Sequence, residues 1–390
     1  MPRTTAAATA VVSPTGAHRW ERGHPWIFRT DVLEAPAAAG VVRVTDRRGR
    51  FLGIALFSPK SEIRLRLLAR EEVTVDRAWW QARLARALAR RQGIDATAYR
   101  LVHAEGDGLP SLVVDRYERW LVVQLLSAGL ESCRADILGA LEELVRPEGI
   151  LLRNDVGVRR HEGLPENVEL AMGTVPEEVE FREGAVRYLA APWHGQKTGA
   201  FLDQRPNRLL AAALAKPGGT ALDCFTYHGS FALHLATRAG HVTALDVSAE
   251  ALARGKENAT RNAMTNVDWL EGDCFDVLRQ FERERRRFDT IVLDPPAFAK
   301  TKAAVPQALR GYKEINLRAM KLLADDGVLL TASCSYHVRR DAFLEMVADA
   351  AADSGRRLTL THILGQGADH PEVVTISETG YLKGAVLRAS

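Results

Sequence analysis

From about residue 191 to the C-terminus, short apolar strands and amphipathic helices alternate with a regularity that few folds can use. The strands are TALDCF (220–225), HVTALDV (241–247), VDWLEG (267–272), FDTIVLD (288–294) and GVLLTASC (327–334). Helical patterns fall near 203–215, 230–239, 249–263, 275–285, 306–323 and 340–353. This alternation predicts a doubly wound parallel sheet. The last two strands, LTLTHILGQ and YLKGAVLR, depart from it, because no helix separates them. Their connecting loop, GADHPEVVTISETG, is too short and polar for a helical crossover, so the two strands are expected to pair antiparallel.

The preceding residues have a different texture. From 11 to 70 the pattern is short strands (VVRVTD, RFLGIALF, EIRLRLLA) punctuated by Gly and Pro, which predicts a small β-barrel. Residues 1–10 are small and polar, and are expected to fray. DRAWWQARLARALARR (76–91) has helical spacing. Residues 97–190 read as a small α+β domain: strands YRLVHAE, SLVVDRY, WLVVQLL, GILLRND, VEFREG and AVRYLAA, with one helix near 130–145. The predicted division is 1–72, 73–190 and 191–390.

The formal charge of +3 conceals an asymmetry: residues 1–70 carry a net +7 and the remainder a net −4. A basic front suggests an anionic partner. No stretch approaches the roughly 18 apolar residues of a membrane helix, and no secretory signal is evident. The four cysteines (Cys133, Cys224, Cys274, Cys334) form no C-x-x-C pair, so no structural zinc site is suggested. Widely spaced thiols fit a reducing cytoplasm.

Ligands of such sheets bind at the carboxyl ends of the strands. The first strand runs into DCFTYHGSF, which has only Gly229 and lacks the G-x-G-x-x-G of a pyrophosphate cradle. S-adenosylmethionine (SAM) has no phosphate and does not need one. A parallel sheet closed by an antiparallel hairpin is the arrangement of class I SAM methyltransferases, whereas dehydrogenase sheets usually stay parallel. Phe225 and Gly229 on this loop, and Pro296 further on, are candidate cofactor contacts. Asp246, ending the second strand, can hydrogen-bond ribose hydroxyls, a device shared with NAD enzymes. Asp273 either meets the adenine amino group or caps the helix that follows it.

The fourth strand ends in Asp294-Pro295-Pro296-Ala297-Phe298 and the fifth in Ser333-Cys334-Ser335. In strand order 3-2-1-4-5 these two ends are neighbours. C5 of a pyrimidine is a poor nucleophile until a thiolate adds at C6. A carboxylate beside N3 or the exocyclic amine stabilises the adduct, and a base must then remove the C5 proton. Asp294 and Cys334 suit the carboxylate and the thiolate. Cys224 and Cys274 lie nearer the cofactor strands and read as packing residues.

At these residues the chain resembles the three-domain class I SAM-dependent ribosomal RNA methyltransferases that make 5-methylcytidine in large-subunit RNA. RWERGHPWIF (19–28) is similar to the start of their PUA domain and AEGDGLPSLVVDRY (104–117) to their central domain. GQKTGAFLDQRPNR (195–208), DPPAFAK (294–300), GYKEIN (311–316), TASCS (331–335) and ADHP (368–371) are similar to their catalytic domain. The resemblance implies a Rossmann-like methyltransferase domain preceded by a PUA β-barrel and a small α+β domain. It implies a lid over SAM, with Phe201, Gln204 and Arg205 as contacts, and makes Cys334 the nucleophile and Asp294 the base-orienting group. Lys197 and His370 become candidate RNA contacts, and Tyr312, Lys313 and Asn316 candidate supports of the D-P-P loop. A homodimer is also implied. Another RNA cytosine-5 family carries a second cysteine, in Pro-Cys, after the fourth strand; here that place is Pro-Pro-Ala, so another base must eliminate the adduct.

For RNA, Arg19, Arg22 and Arg29 lead the N-terminal charge, with Arg43, Arg47, Arg48, Arg50, Arg64 and Arg66 behind them. Trp20, Trp26 and Phe28 fit the core better than a base-stacking surface. Three alternatives stay open on sequence: an N-methyltransferase using D-P-P-x-F on guanine or adenine without a thiol, a dinucleotide oxidoreductase, and a non-catalytic RNA-binding factor.

Overall fold

The structure, a computed structural model, describes residues 8–390. For residues 1–7 the expectation of fraying lies outside the described residues. For Thr9 and Ala10 it is wrong: they open β1 (Thr9–Val12), which pairs in parallel with β4 (Gly40–Asp46). The chain forms two compact units. One runs up to Phe181 and adds Leu189–Leu202 and Ala368–Thr379; the other comprises Arg182–Tyr188, Asp203–Gly367 and Gly380–Ser390.

In the first unit, β1, β4, β2 (Trp26–Phe28), β3 (Val32–Glu34), β5 (Phe51–Phe57) and β6 (Ile63–Ala69) form a six-stranded sheet, ordered β2-β6-β5-β4-β1-β3. Its core holds Val12, Trp20, Ile27, Val44, Phe57 and Leu65. The stretch read as strands alone also contains a helix, α1 (Pro14–Glu21). The Ser13 hydroxyl caps it by accepting from the Gly16 amide, and Pro14 starts it with a pre-set φ.

A second sheet follows, ordered β11-β10-β9-β8-β7, from β7 (Ala98–His103), β8 (Leu112–Tyr117), β9 (Trp120–Leu125), β10 (Gly149–Arg153) and β11 (Val168–Gly173). Helix α2 (Arg77–Ala89) contributes Trp80 and Leu84 to the core beneath it. The helix expected near 130–145 is broken at Ser132–Cys133 into α3 (Ala128–Glu131) and α4 (Arg134–Val145). A short helix α5 (Val158–Glu162) precedes β11. β12 (Val179–Glu183) and β13 (Val186–Ala190) form a two-stranded sheet of their own.

The second unit is built on a seven-stranded sheet, ordered β16-β15-β14-β17-β18-β20-β19. Its strands are β14 (Thr220–Cys224), β15 (His241–Asp246), β16 (Val267–Glu271), β17 (Phe288–Leu293), β18 (Leu323–Ser333), β19 (Leu358–Leu364) and β20 (Lys383–Ala389). β14 to β18 are parallel, and β20 runs antiparallel between β18 and β19. Alternate residues serve opposite faces, as strand geometry requires. Leu222, Ile291, Leu293 and Leu329 pack against α9 (Cys274–Arg283), α10 (Val305–Leu322) and α11 (Arg340–Ser354). Ala221, Val292, Val328 and Leu330 pack against α6 (Arg205–Leu214) and α7 (Ser230–Ala236). Helix α8 (Ala249–Arg261) links β15 to β16. The sheet is therefore Rossmann-like, with the predicted 3-2-1-4-5 order and terminal hairpin.

Candidate active site

The carboxyl end of β14 runs into a loop of uncommon backbone. Phe225, Tyr227 and Gly229 all have positive φ, at 64°, 52° and 79°. Two non-glycine residues held there store strain that the surroundings must support. That support is visible. Asp246, ending β15, accepts the Tyr227 amide at 2.8 Å and the Ser248 amide at 2.9 Å. Asp223, fully buried in β14, accepts from the Thr226 hydroxyl at 2.5 Å and the Ala232 amide at 2.8 Å. Burial pushes the Asp223 carboxyl up to about 7; its two hydrogen bonds pull it down, while Asp294 and Asp246 push it up. Its Oδ1 is buried without a hydrogen-bond partner. Asp223 was not among the sequence candidates, although its place in LDCF, two residues before the loop, was a signal.

Asp273 caps α9, its Oδ1 accepting from Phe275 and Asp276 amides at 2.8 and 3.3 Å. Of the two readings open on sequence, the cap is the geometry present. Phe225 is edge-on to Phe298, with ring centroids 6.4 Å apart.

The ends of β17 and β18 are clasped together by two hydroxyls. The Tyr312 hydroxyl, on α10, accepts the Phe298 amide at 3.3 Å, and the Ser335 hydroxyl accepts the Ala299 amide at 3.1 Å. The hydroxyls lie 2.8 Å apart, and the Tyr312 ring stacks on Phe298 at 4.5 Å. Tyr312 thus supports the D-P-P loop directly. Asn316 is fully buried and donates to the Tyr312 carbonyl at 2.8 Å. Lys313 does not support the loop: it pairs with Asp353 at 2.8 Å, because its position on α10 faces α11.

Asp294 accepts from Gln204 Nε2 at 2.8 Å, and Gln204 Oε1 in turn accepts from Asn207 at 2.5 Å. Gln204, expected to touch the cofactor, is 4% exposed and is held by this pair of hydrogen bonds at the end of β17. Arg205 is also buried, as the first residue of α6. Cys334 follows β18 by one residue, and its Sγ lies 3.9 Å from the Pro295 carbonyl oxygen. It is half-buried, whereas Cys133, Cys224 and Cys274 are buried. Pro296, beside Pro295, lies on the same loop.

The remaining sequence candidates belong to the first unit. Lys197 Nζ sits 4.3 Å from the centre of the Phe201 ring. The segment carrying them is tied down: Thr198 donates to Asp115 at 2.5 Å, and Tyr117 accepts the Ala200 amide at 3.1 Å. His370 is 2% exposed, with its ring 5.1 Å from that of His103, so it presents no face to a large ligand. Arg22 is exposed, Arg19 lies over the Phe28 ring at 4.8 Å, and Arg29 pairs with Glu62 at 3.2 Å. Arg66 is not part of the basic surface: it is buried and pairs with Glu162 at 2.8 Å. Trp20 is core, donating to the Pro25 carbonyl, while Trp26 and Phe28 are half-buried.

The donor set at the β14–β15 end suits a cationic nucleoside. Asp223 and Asp246 place two carboxyl groups there, and Asp223 retains a buried, unmatched acceptor oxygen. SAM carries a sulfonium and an ammonium that complement this charge, and needs no phosphate cradle.

Such a sheet and edge define a class I SAM-dependent methyltransferase, with SAM as its cofactor. A family model described as a PUA-like domain matches residues 11–70, and one described as a methyltransferase domain matches residues 215–372. The ribosomal RNA large subunit methyltransferase I of Tolumonas auensis is 41% identical over 381 residues, covering 94% of this chain and 96% of that protein. That of Aeromonas hydrophila is 41% identical over 383 residues, with the same coverage. A Streptococcus mutans protein assigned as a SAM-dependent methyltransferase has a similar fold, at TM-score 0.81, 20% identity, and 97% and 99% coverage of the two chains. A methyltransferase-assigned structure complexed with SAH gives TM-score 0.84 at the same identity and coverage. The chain belongs to the ribosomal RNA large subunit methyltransferase I family.

Proposed function

We propose that this protein forms 5-methylcytidine in large-subunit ribosomal RNA, with Cys334 as the nucleophile. The RNA substrate is supported by the names of its relatives, by the PUA-like domain and by the basic N-terminal segment. The observation that carries the chemistry is the pairing of one half-exposed cysteine with the D-P-P loop, through the Tyr312–Ser335 clasp.

SAM supplies an electrophilic methyl group on its sulfonium. Asp223 and Asp246 hold the loop that receives it. The Cys334 thiolate adds to C6 of the cytosine and makes C5 nucleophilic. Asp294, oriented by Gln204, accepts from the exocyclic amine or the protonated N3 as charge develops there. Once C5 is methylated, loss of its proton to a base restores the double bond and expels the thiolate.

The test is to digest RNA methylated by the full chain to nucleosides and locate the methyl by mass spectrometry. Wild type yields 5-methylcytidine, and C334A yields none while still binding SAM. A methyl on an exocyclic nitrogen, or full turnover by C334A, overturns the assignment.

A further inference from the structure

Lysine is rarely buried without a purpose, because its charge loses hydration. Lys383 opens β20 and is 3% exposed. In the antiparallel register it stands opposite Ser333. Its Nζ donates to the Ser335 carbonyl at 2.5 Å and to the Tyr381 carbonyl at 2.9 Å. Lys383 therefore brackets Cys334: the backbone pairing meets the residue before it, and the ammonium meets the residue after it. Nothing in the packing of β20 requires a cation there, since its neighbours Ala385, Val386 and Leu387 are apolar and buried.

We propose that Lys383 is a positioning residue that holds Cys334 as its thiolate. This rests on the reading of Cys334 as nucleophile. Two of the three ammonium hydrogens are spent on carbonyls, which fix Nζ and favour the charged form. The charge, fixed in this place, acts on the neighbouring Cys334. An opposite charge within about 4–6 Å lowers a thiol's pKa by roughly one to three units, and the thiolate is the reactive form.

The other charged groups around the pair are few. Arg340, the first residue of α11, acts on Lys383 in the opposite sense to Cys334. Tyr312 on α10 presents a hydroxyl, raised by burial. Asp294 lies on the loop whose Pro295 carbonyl meets the sulfur. Asp203 is engaged by the Tyr381 hydroxyl at 2.7 Å. Burial above all brings Lys383 down to about 8, with Cys334 raising it and Arg340 lowering it. The charge is therefore held below pH 8 and fades above it, so support for the thiolate is greatest at and below neutral pH.

The experiment measures alkylation of Cys334 in the RNA-free full chain by iodoacetamide across pH, read by peptide mass spectrometry. K383M is expected to move the midpoint up by about one pH unit, a roughly tenfold loss of alkylation rate at pH 7. K383R, which keeps the charge, is expected to restore most of it. Superimposable wild-type and K383M curves overturn the proposal. Should K383M fail to fold, reciprocity supplies a second arm in C334A. There the Lys383 side-chain NMR signal must titrate at lower pH than in wild type, and an unchanged titration is equally fatal. Failure of the parent reading looks different: C334A then methylates RNA at full rate, whatever the alkylation curves show.

Discussion

β14 and β18 both end at the carboxyl edge of one sheet, and each brings a cysteine there. Cys224 is the last residue of β14. It is fully buried, and burial together with the neighbouring Cys274 pushes its thiol well above the ordinary range. Cys334 lies one residue past β18, half-buried, with Lys383 bracketing it. One step along the chain separates a packing thiol from an accessible one. The rest of each half follows suit. The β14–β15 half collects carboxylates and left-handed backbone, as a cationic ligand needs. The β17–β18 half collects a thiol, a lysine and a hydroxyl clasp, as a covalent step needs. On the proposed function, binding and chemistry fall in separate halves, and mutations should sort by half.

The largest effect after loss of Cys334 itself is expected from Asp294→Asn. It should lower kcat by about 10²- to 10³-fold, the scale of a lost charge-stabilising group, and leave the SAM dissociation constant within a few-fold by calorimetry. A defect confined to SAM binding breaks the division. Asp246→Ala is the mirror experiment. It removes the acceptor for the Tyr227 and Ser248 amides, and should weaken SAM by about 10- to 100-fold, from charged hydrogen bonds of roughly 1.5–3 kcal/mol. Cys334 alkylation should be unchanged.

Asp223 sharpens the comparison through pH. Its carboxyl is raised from 3.8 to about 7, so the folded state keeps a proton that the unfolded chain has released. The stabilisation is complete below the unfolded value, declines as pH rises through that window, and is lost above about 7. SAM-free Asp223→Asn should therefore melt later than wild type at pH 8, the gap narrowing towards pH 5, while its SAM affinity falls. Equal melting at pH 8 counts against the buried carboxylate. The smallest effect belongs to Tyr312→Phe. It deletes one hydroxyl of the clasp, which should cost about 1 kcal/mol of stability by chemical denaturation. It should also reduce kcat more than SAM affinity.

The sheet was legible because its strands and helices have distinct periods that nothing interrupts, and the terminal hairpin because no crossover fits between its strands. Elements whose burial is weak were not. α1 has eight residues and buries only Gly16, Ala17 and Trp20, so its helical period is faint and Ser13-Pro14 was the better cue. β11 has no fully buried residue. The strand-end positions of Asp246, Asp294 and Cys334 were legible because strand ends are fixed by pattern. The hydrogen bond of Gln204 to Asp294 was not legible, because the two residues lie 90 positions apart. Arg66 was counted as surface charge for the same reason: Glu162 is 96 residues distant. Lys383 reads as an ordinary lysine at a strand start, and only the pairing of β20 with β18 buries it.

The central claim is a covalent bond between Cys334 and a pyrimidine, and it can be trapped. Fluorine at C5 cannot leave as a proton does, so the adduct stalls after methyl transfer. Wild-type protein with SAM and 5-fluorocytidine-substituted ribosomal RNA should form a complex that survives denaturing electrophoresis, with the RNA on the peptide containing Cys334, and C334A should form none. A wild type that methylates unmodified RNA but never traps, or a C334A that traps as well as wild type, contradicts it.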